Sequence, residues 1–152
     1  SSPQCGYNED LLGYLLGRSH FQMLFRMRKV FDEQAHEDSH FFALSVLNIQ
    51  SRLTLEQLND HIEYTGHSLA DSDIEFLINQ DLIEILDDEH YQLTDHGRET
   101  SLVHIAQAKA IEEELIEKLG VGDVMALKLL LKRLITSTDP GLPDLWKTQE
   151  PK

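Results

Sequence analysis

The stretch Leu82-Ile83-Glu84-Ile85-Leu86-Asp87-Asp88-Glu89-His90-Tyr91-Gln92-Leu93-Thr94-Asp95-His96-Gly97-Arg98-Glu99 decides the fold. Two short apolar runs, Leu82 to Leu86 and Tyr91 to Leu93, flank the polar run Asp87-Asp88-Glu89-His90, which is the pattern of a tight β-hairpin. Thr94 then stands at a helix N-cap, ahead of Leu102, Ile105, Ala108, Ile111, Leu115, Ile116 and Leu119 at helical spacing. A hairpin therefore runs straight into a long helix.

Upstream, Ala70, Ile74, Leu77 and Ile78 form the inward face of a helix spanning Ser68 to Gln80, with Ser68, Asp71, Ser72, Glu75 and Asn79 outward. Gly66 ends the link before it. Thr54, with Gln57 three residues on, has the form of a capping box and opens a short helix bearing Leu55, Leu58 and Ile62. Ser39 is the candidate cap of a helix with Phe41, Phe42, Leu44, Val46, Leu47 and Ile49. Leu11, Leu12, Leu15, Leu16, Phe21, Leu24, Phe25 and Phe31 predict one long helix from Asp10 to about Glu37, broken at His36-Glu37-Asp38-Ser39-His40. Downstream of the hairpin, Gly120-Val121-Gly122 punctuates the long helix, Asp123 starts a last one from Val124 to about Thr136, and Pro140, Gly141 and Pro143 stop it. Three helices followed by a hairpin define a winged helix-turn-helix. The expected fold is mainly α, with a two-stranded wing and long N- and C-terminal helices. Residues 1–9 are expected to be a mobile arm, 10–136 the domain and 137–152 a tail.

The chain has 152 residues, 41% apolar and 26% charged, which suits one domain with a real core. A single cysteine, Cys5, excludes an internal disulfide framework and a Cys-based structural zinc site. The sequence shows no apolar run of membrane-spanning length and no signal-peptide pattern, so a cytoplasmic setting without membrane attachment is the expectation. With no nucleophile elbow and no phosphate-cradling glycine loop, neither an enzyme nor a cofactor is expected.

The hairpin exit Leu93-Thr94-Asp95-His96-Gly97-Arg98-Glu99 resembles the Leu-Thr-x-x-Gly-Arg signature of the MarR family of transcription regulators. Leu77 followed by Asp81-Leu82-Ile83 is similar to that family's Leu-x-x-x-Gly-Leu-Val, and Leu11-Leu12-Gly13-Tyr14-Leu15-Leu16 to its first helix. Element order agrees over about residues 10 to 136. The resemblance implies a homodimer in which segments 10–37 and 95–136 interlock, while the lobe 39–94 reaches the major groove of a palindromic site. On that reading Leu12, Leu15, Leu16, Leu115, Leu119, Leu127, Leu131 and Leu134 form the dimer seam. The recognition helix presents Ser68, Asp71, Ser72, Glu75 and Asn79, and the wing presents Asp87, Asp88, Glu89 and His90. A small-molecule effector, or oxidation of a cysteine such as Cys5, is the family's usual trigger.

Charge opposes part of that implication. The formal net charge is −14, and from 53 to 97 there is no lysine or arginine, whereas Glu56, Asp60, Glu63, Asp71, Asp73, Glu75, Asp81, Glu84, Asp87, Asp88, Glu89 and Asp95 are acidic. Affinity for a duplex comes largely from cations that neutralise phosphates. This lobe offers none, so conventional DNA binding is electrostatically disfavoured. The alternative is a non-DNA-binding adaptor, anti-regulator or DNA mimic whose acidic lobe docks on a basic protein. The wing also lacks the family's arginine, and Asp81 stands where a glycine able to take positive φ is usual.

His36-Glu37-Asp38-Ser39-His40 matches His-Glu-x-x-His but falls at a helix junction, where a solvated turn is favoured over a zinc site. A regulatory metal site using His40 with His104 or a carboxylate is the residual option. Cys5 has no cation nearby to activate it.

Overall fold

The computed structural model describes residues 8–31 and 37–138. These form α1 (Leu12–Phe31), α2 (Asp38–Gln50), β1 (Arg52–Thr54), α3 (Leu55–Ile62), a 3-10 turn at Glu63–Thr65, α4 (Asp71–Asn79), β2 (Ile83–Leu86), β3 (His90–Leu93), α5 (Asp95–Leu119) and α6 (Val121–Thr138). The winged helix-turn-helix expected from the hairpin is present. Among the described residues no helix is long and apolar enough to cross a membrane.

The described residues divide into two units, α1 and the segment from α2 onward. Helix α1 starts at Leu12 rather than Asp10 and contains Arg18, Arg26, Arg28 and Lys29 without one carboxylate. Its Leu12, Phe21 and Phe25 are exposed. Glu37, expected as the last residue of this helix, instead caps α2.

The core of the second unit is one cluster. Ala43, Leu44, Val46 and Leu47 of α2 meet Leu58 and Ile62 of α3, Ile74 and Leu77 of α4, and Leu53, Leu82, Ile83 and Leu93 around the sheet. Full burial of each leucine, isoleucine or valine side chain among them contributes roughly 1.5–3 kcal/mol. The Thr54 capping box is reciprocal: the Gln57 N–H donates to Thr54 Oγ1 (3.1 Å) and the Thr54 N–H to Gln57 Oε1 (2.9 Å).

The two-stranded wing, β2 with β3, is joined by a third strand that the sequence did not predict. The sheet has three antiparallel strands in the order β1-β3-β2, with Leu53 opposite Tyr91 and Ile83 opposite Leu93. Three residues are too few to display strand alternation, and Thr54, at the end of β1, is also the cap of the next helix, which hid β1 in the sequence. His90 belongs to β3, so the turn is Leu86-Asp87-Asp88-Glu89. Its Glu89 N–H donates to the Leu86 carbonyl (3.1 Å), and Asp87 and Asp88 lie at φ 45° and 64°, a type I′ turn.

Three further boundaries move. Ser39 is not the cap of α2 but a buried residue inside it. Helix α4 begins at Asp71, capped by Ala70, so Ser68 lies outside it. Leu69 takes the buried position, leaving Ala70 exposed. Helix α6 begins at Val121 and ends at Thr138, with Gly120 (φ 93°) as the break and Gly122 inside the helix.

Two features lock α4 to α5. At the end of α4 the Leu82 N–H donates to the Leu77 carbonyl (3.0 Å) and the Asp81 N–H to that of Ile78 (2.9 Å), a Schellman motif with Asp81 at φ 57°. Thr94 then donates its hydroxyl to the Asp81 carbonyl and accepts the Gly97 N–H (2.9 Å), while its own N–H reaches the Leu82 carbonyl (3.1 Å). The α5 backbone comes so near that a Cβ on Gly97 would stand 1.9 Å from the Leu82 oxygen.

Candidate functional site: reading face, histidine latch and cavity

Helix α4 presents Asp71, Ser72, Glu75 and Asn79 to solvent, as its periodicity indicates, and Ser68 is exposed just before it. Ile78, expected inward, is 39% exposed, because Ile74 and Leu77 fill the core-facing side of this short helix. Asp87, Asp88 and Glu89 are exposed at the wing tip and His90 is half-buried. The His90 ring bonds Asp87 through Nδ1 (3.0 Å), and this bond, helped by the His90 N–H, holds the Asp87 carboxyl below the usual carboxylate range. A carboxyl depressed in the folded state favours folding above its unfolded pKa, and that contribution is lost as pH falls through the folded value. The segment between Arg52 and Arg98 that builds this face contains no lysine or arginine.

Behind the face lies a polar contact that the sequence did not reveal. His40, 4% exposed in the first turn of α2, accepts the Glu37 N–H at Nδ1 (3.2 Å). The ring proton therefore sits on Nε2, which donates to Asp73 Oδ1 of α4 (2.9 Å). The same ring stacks on Phe76, with centroids 4.7 Å apart and an interplanar angle of 16°. Asp73 Oδ2 accepts the Ala70 N–H (2.8 Å), which replaces the side-chain cap that Ala70 cannot supply. That backbone bond, and then the His40 bond, hold the Asp73 carboxyl below its ordinary range against the opposing effect of burial.

Donor atoms of Glu37, His40 and Asp73 lie within 4.8 Å of one another. The arrangement suits a proton better than a metal ion. Both ring nitrogens of His40 are already committed, and the group sits at the N-termini of α2 and α4, where the helix dipoles disfavour a cation. The group draws on Asp73 and not on His104.

His104 is placed elsewhere. It is 3% exposed on α5, packs against Phe41 at 5.3 Å, and lines a cavity of about 280 Å³ between α2 and α5. Phe41, Ser45, Asn48, Ser101 and Ala108 complete most of the wall, and among the described residues no lysine or arginine borders it. Ser101 Oγ is buried there with no hydrogen-bond partner among the described residues. The volume lies at the small end of ligand pockets, and an apolar wall with a few hydroxyl and amide groups suits a small aromatic molecule that brings its own polar group.

Beyond His104 the α5–α6 arm is largely uncovered. Ile111 and Val124 are buried, and Lys128 pairs with Glu112 across the two helices. Leu119, Met125, Leu127, Leu129 and Leu130 are exposed. Cys5, His36 and residues 139–152 lie outside the described residues. The sequence reading passed over Asp73 and Phe76 as site residues. Asp73 had one local signal, its place three residues after the start of a helix without a polar cap, but nothing local shows that His40 lies opposite.

No family model and no curated protein matches the sequence. Solved structures do match the fold. Ligand-free NadR superposes with a TM-score of 0.71 at 17% identity, over 86% of this chain and 99% of that one, and NadR has also been solved with 4-hydroxyphenylacetate. The reduced form of MarR from E. coli gives 0.69 at 20% identity over 85% and 97% of the two chains. The Mycobacterium tuberculosis MarR family protein Rv2887 in complex with DNA gives 0.66 at 19% over 82% and 97%. The chain thus has the fold of MarR family transcription regulators, at identities that show the fold alone.

Proposed function

We propose that the protein is a homodimeric winged-helix regulator of transcription whose α2–α5 cavity takes a small, uncharged aromatic effector. The observation that carries this reading is the uncovered apolar face of the arm that continues from the lobe. Leu119, Met125, Leu129 and Leu130 are 51%, 62%, 59% and 57% exposed, a run that monomers rarely leave to water. A second copy is its natural cover, with Leu12, Leu15, Leu16, Leu115, Leu127, Leu131 and Leu134 in the seam alongside Leu119. Placing a carboxylate in that seam desolvates a charge without a partner. Leu127→Asp is therefore expected to raise the dimer dissociation constant at least about 100-fold, or roughly 2.8 kcal/mol, by analytical ultracentrifugation. An unaltered dimer would remove Leu127 from the seam.

The cavity supports the effector half of the proposal. NadR, with the same fold, binds 4-hydroxyphenylacetate. Here no lysine or arginine among the described residues lines the cavity to receive a carboxylate, while Ser101 and Asn48 can meet a phenol. Tyrosol, the neutral alcohol analogue, is expected to bind more tightly than 4-hydroxyphenylacetate in calorimetry, and Ala108→Phe is expected to abolish both. Equal binding to the Ala108→Phe variant would place the ligand elsewhere.

A second reading concerns what the lobe touches. The acidity of α4 and the wing tip supports docking on a basic protein in place of direct operator contact, with Asp71 and Glu75 central.

A further inference from the structure

We propose that His40 is the positioning residue through which occupancy of the Phe41–His104 cavity resets helix α4. The inference rests on the effector reading of that cavity and names the route by which it would regulate the lobe. His40 and Phe41 are consecutive in the first turn of α2, so their side chains diverge by about 100° around one helix axis. Phe41 lines the cavity against His104. His40 crosses to α4, where it bonds Asp73 and stacks on Phe76. A ligand that displaces the Phe41 ring acts on this first turn, and a shift of the turn carries His40 with it.

What His40 holds is the start of the reading helix. Asp73 bridges the His40 ring and the Ala70 N–H, and the Asp73 and Ile74 N–H groups donate to the Ala70 carbonyl (3.0 and 3.2 Å). Loss of the His40 bond frees the carboxylate that organises this first turn, beside the exposed Asp71, Ser72 and Glu75. Cavity and reading face are joined through two adjacent side chains, each with its own defined neighbour, which gives the coupling a physical link to test.

The test is a double-mutant cycle read by hydrogen exchange at the Asp73 and Ile74 amides. Ala108→Phe fills the cavity without a ligand, and His40→Phe keeps a ring over Phe76 while deleting the bond to Asp73. Ala108→Phe is expected to change exchange at these amides at least about fivefold in the wild-type background and less than about twofold in the His40→Phe background. His40→Gln, whose amide can still donate to Asp73, should recover most of the response. If His40→Phe does not fold, Asp73→Ala reads the same coupling from the α4 side. Equal responses in both backgrounds, or none in wild type, would overturn the proposal. Saturating tyrosol provides the separate check: if it fails to bind while Ala108→Phe still moves α4 through His40, the effector reading fails and the coupling stands.

Discussion

Gly97→Ala is expected to destabilise the fold by about 3–5 kcal/mol, a large share of the 5–15 kcal/mol that holds a typical domain. The added methyl would have to occupy a point 1.9 Å from the Leu82 carbonyl oxygen and 2.9 Å from its carbon. Neither atom is the free end of a flexible side chain. Leu82 is pinned by its N–H to the Leu77 carbonyl and by the Thr94 N–H to its own oxygen, so relief requires α5 to lift off the end of α4. Thermal unfolding should report a fall of roughly 10 °C or more, or the variant should fail to accumulate. Gly122→Ala is the matched control. Among the described residues nothing lies within 4 Å of where its Cβ would stand, and it sits inside α6, so the helix-propensity gain of up to about 1 kcal/mol should dominate. Equal stability of Gly97→Ala and wild type would mean that the close approach of α5 to Leu82 is wrong.

The second large effect is electrostatic. At about 50 mM salt, where counterion release most favours binding, the wild-type protein is expected to leave random duplex DNA unshifted. The double reversal Asp71→Lys with Glu75→Lys alters the exposed face of α4 by four charges, and non-specific affinity should rise at least about tenfold with a steeper salt dependence. A poly-arginine peptide should respond in the opposite sense, held by wild type and released by the reversal. These outcomes support a lobe that meets a basic surface. A clear wild-type shift without added divalent cations, insensitive to the two substitutions, would instead support direct operator reading by groups other than α4 carboxylates.

How far the sequence could be read depended on the range over which each signal acts. Thr94, Gln57 and Asp81 were legible because their partners are close in the chain or because φ alone constrains them. Asp81 does take φ 57°, in the position where the family it resembles has a glycine. Strand β1 was not legible, because its three residues pair with β3 some forty positions away and carry no period of their own. The start of α4 was misplaced for a related reason. Ser68 looked like the beginning of the helix, but Asp73 stabilises it from inside, and its hold on Ala70 is reinforced by His40 from another helix. Ile78 belonged to the inward set by spacing and was left at the rim once Leu77 had closed the core. Within the candidate site, the outward residues of α4 and the wing were visible from periodicity. The cavity was not, because Phe41, Ser101 and His104 converge only when α2 crosses α5.

The hydroxyl of Thr94 has a mechanical implication. Bonded at once to the cap that closes one helix and to the first turn of another, it leaves no slack joint between them. Torque applied far out on α5, where a second subunit would grip, is delivered to α4 as by a rigid crank, and a side chain such as valine, of the same shape but without the two bonds, would let that crank slip.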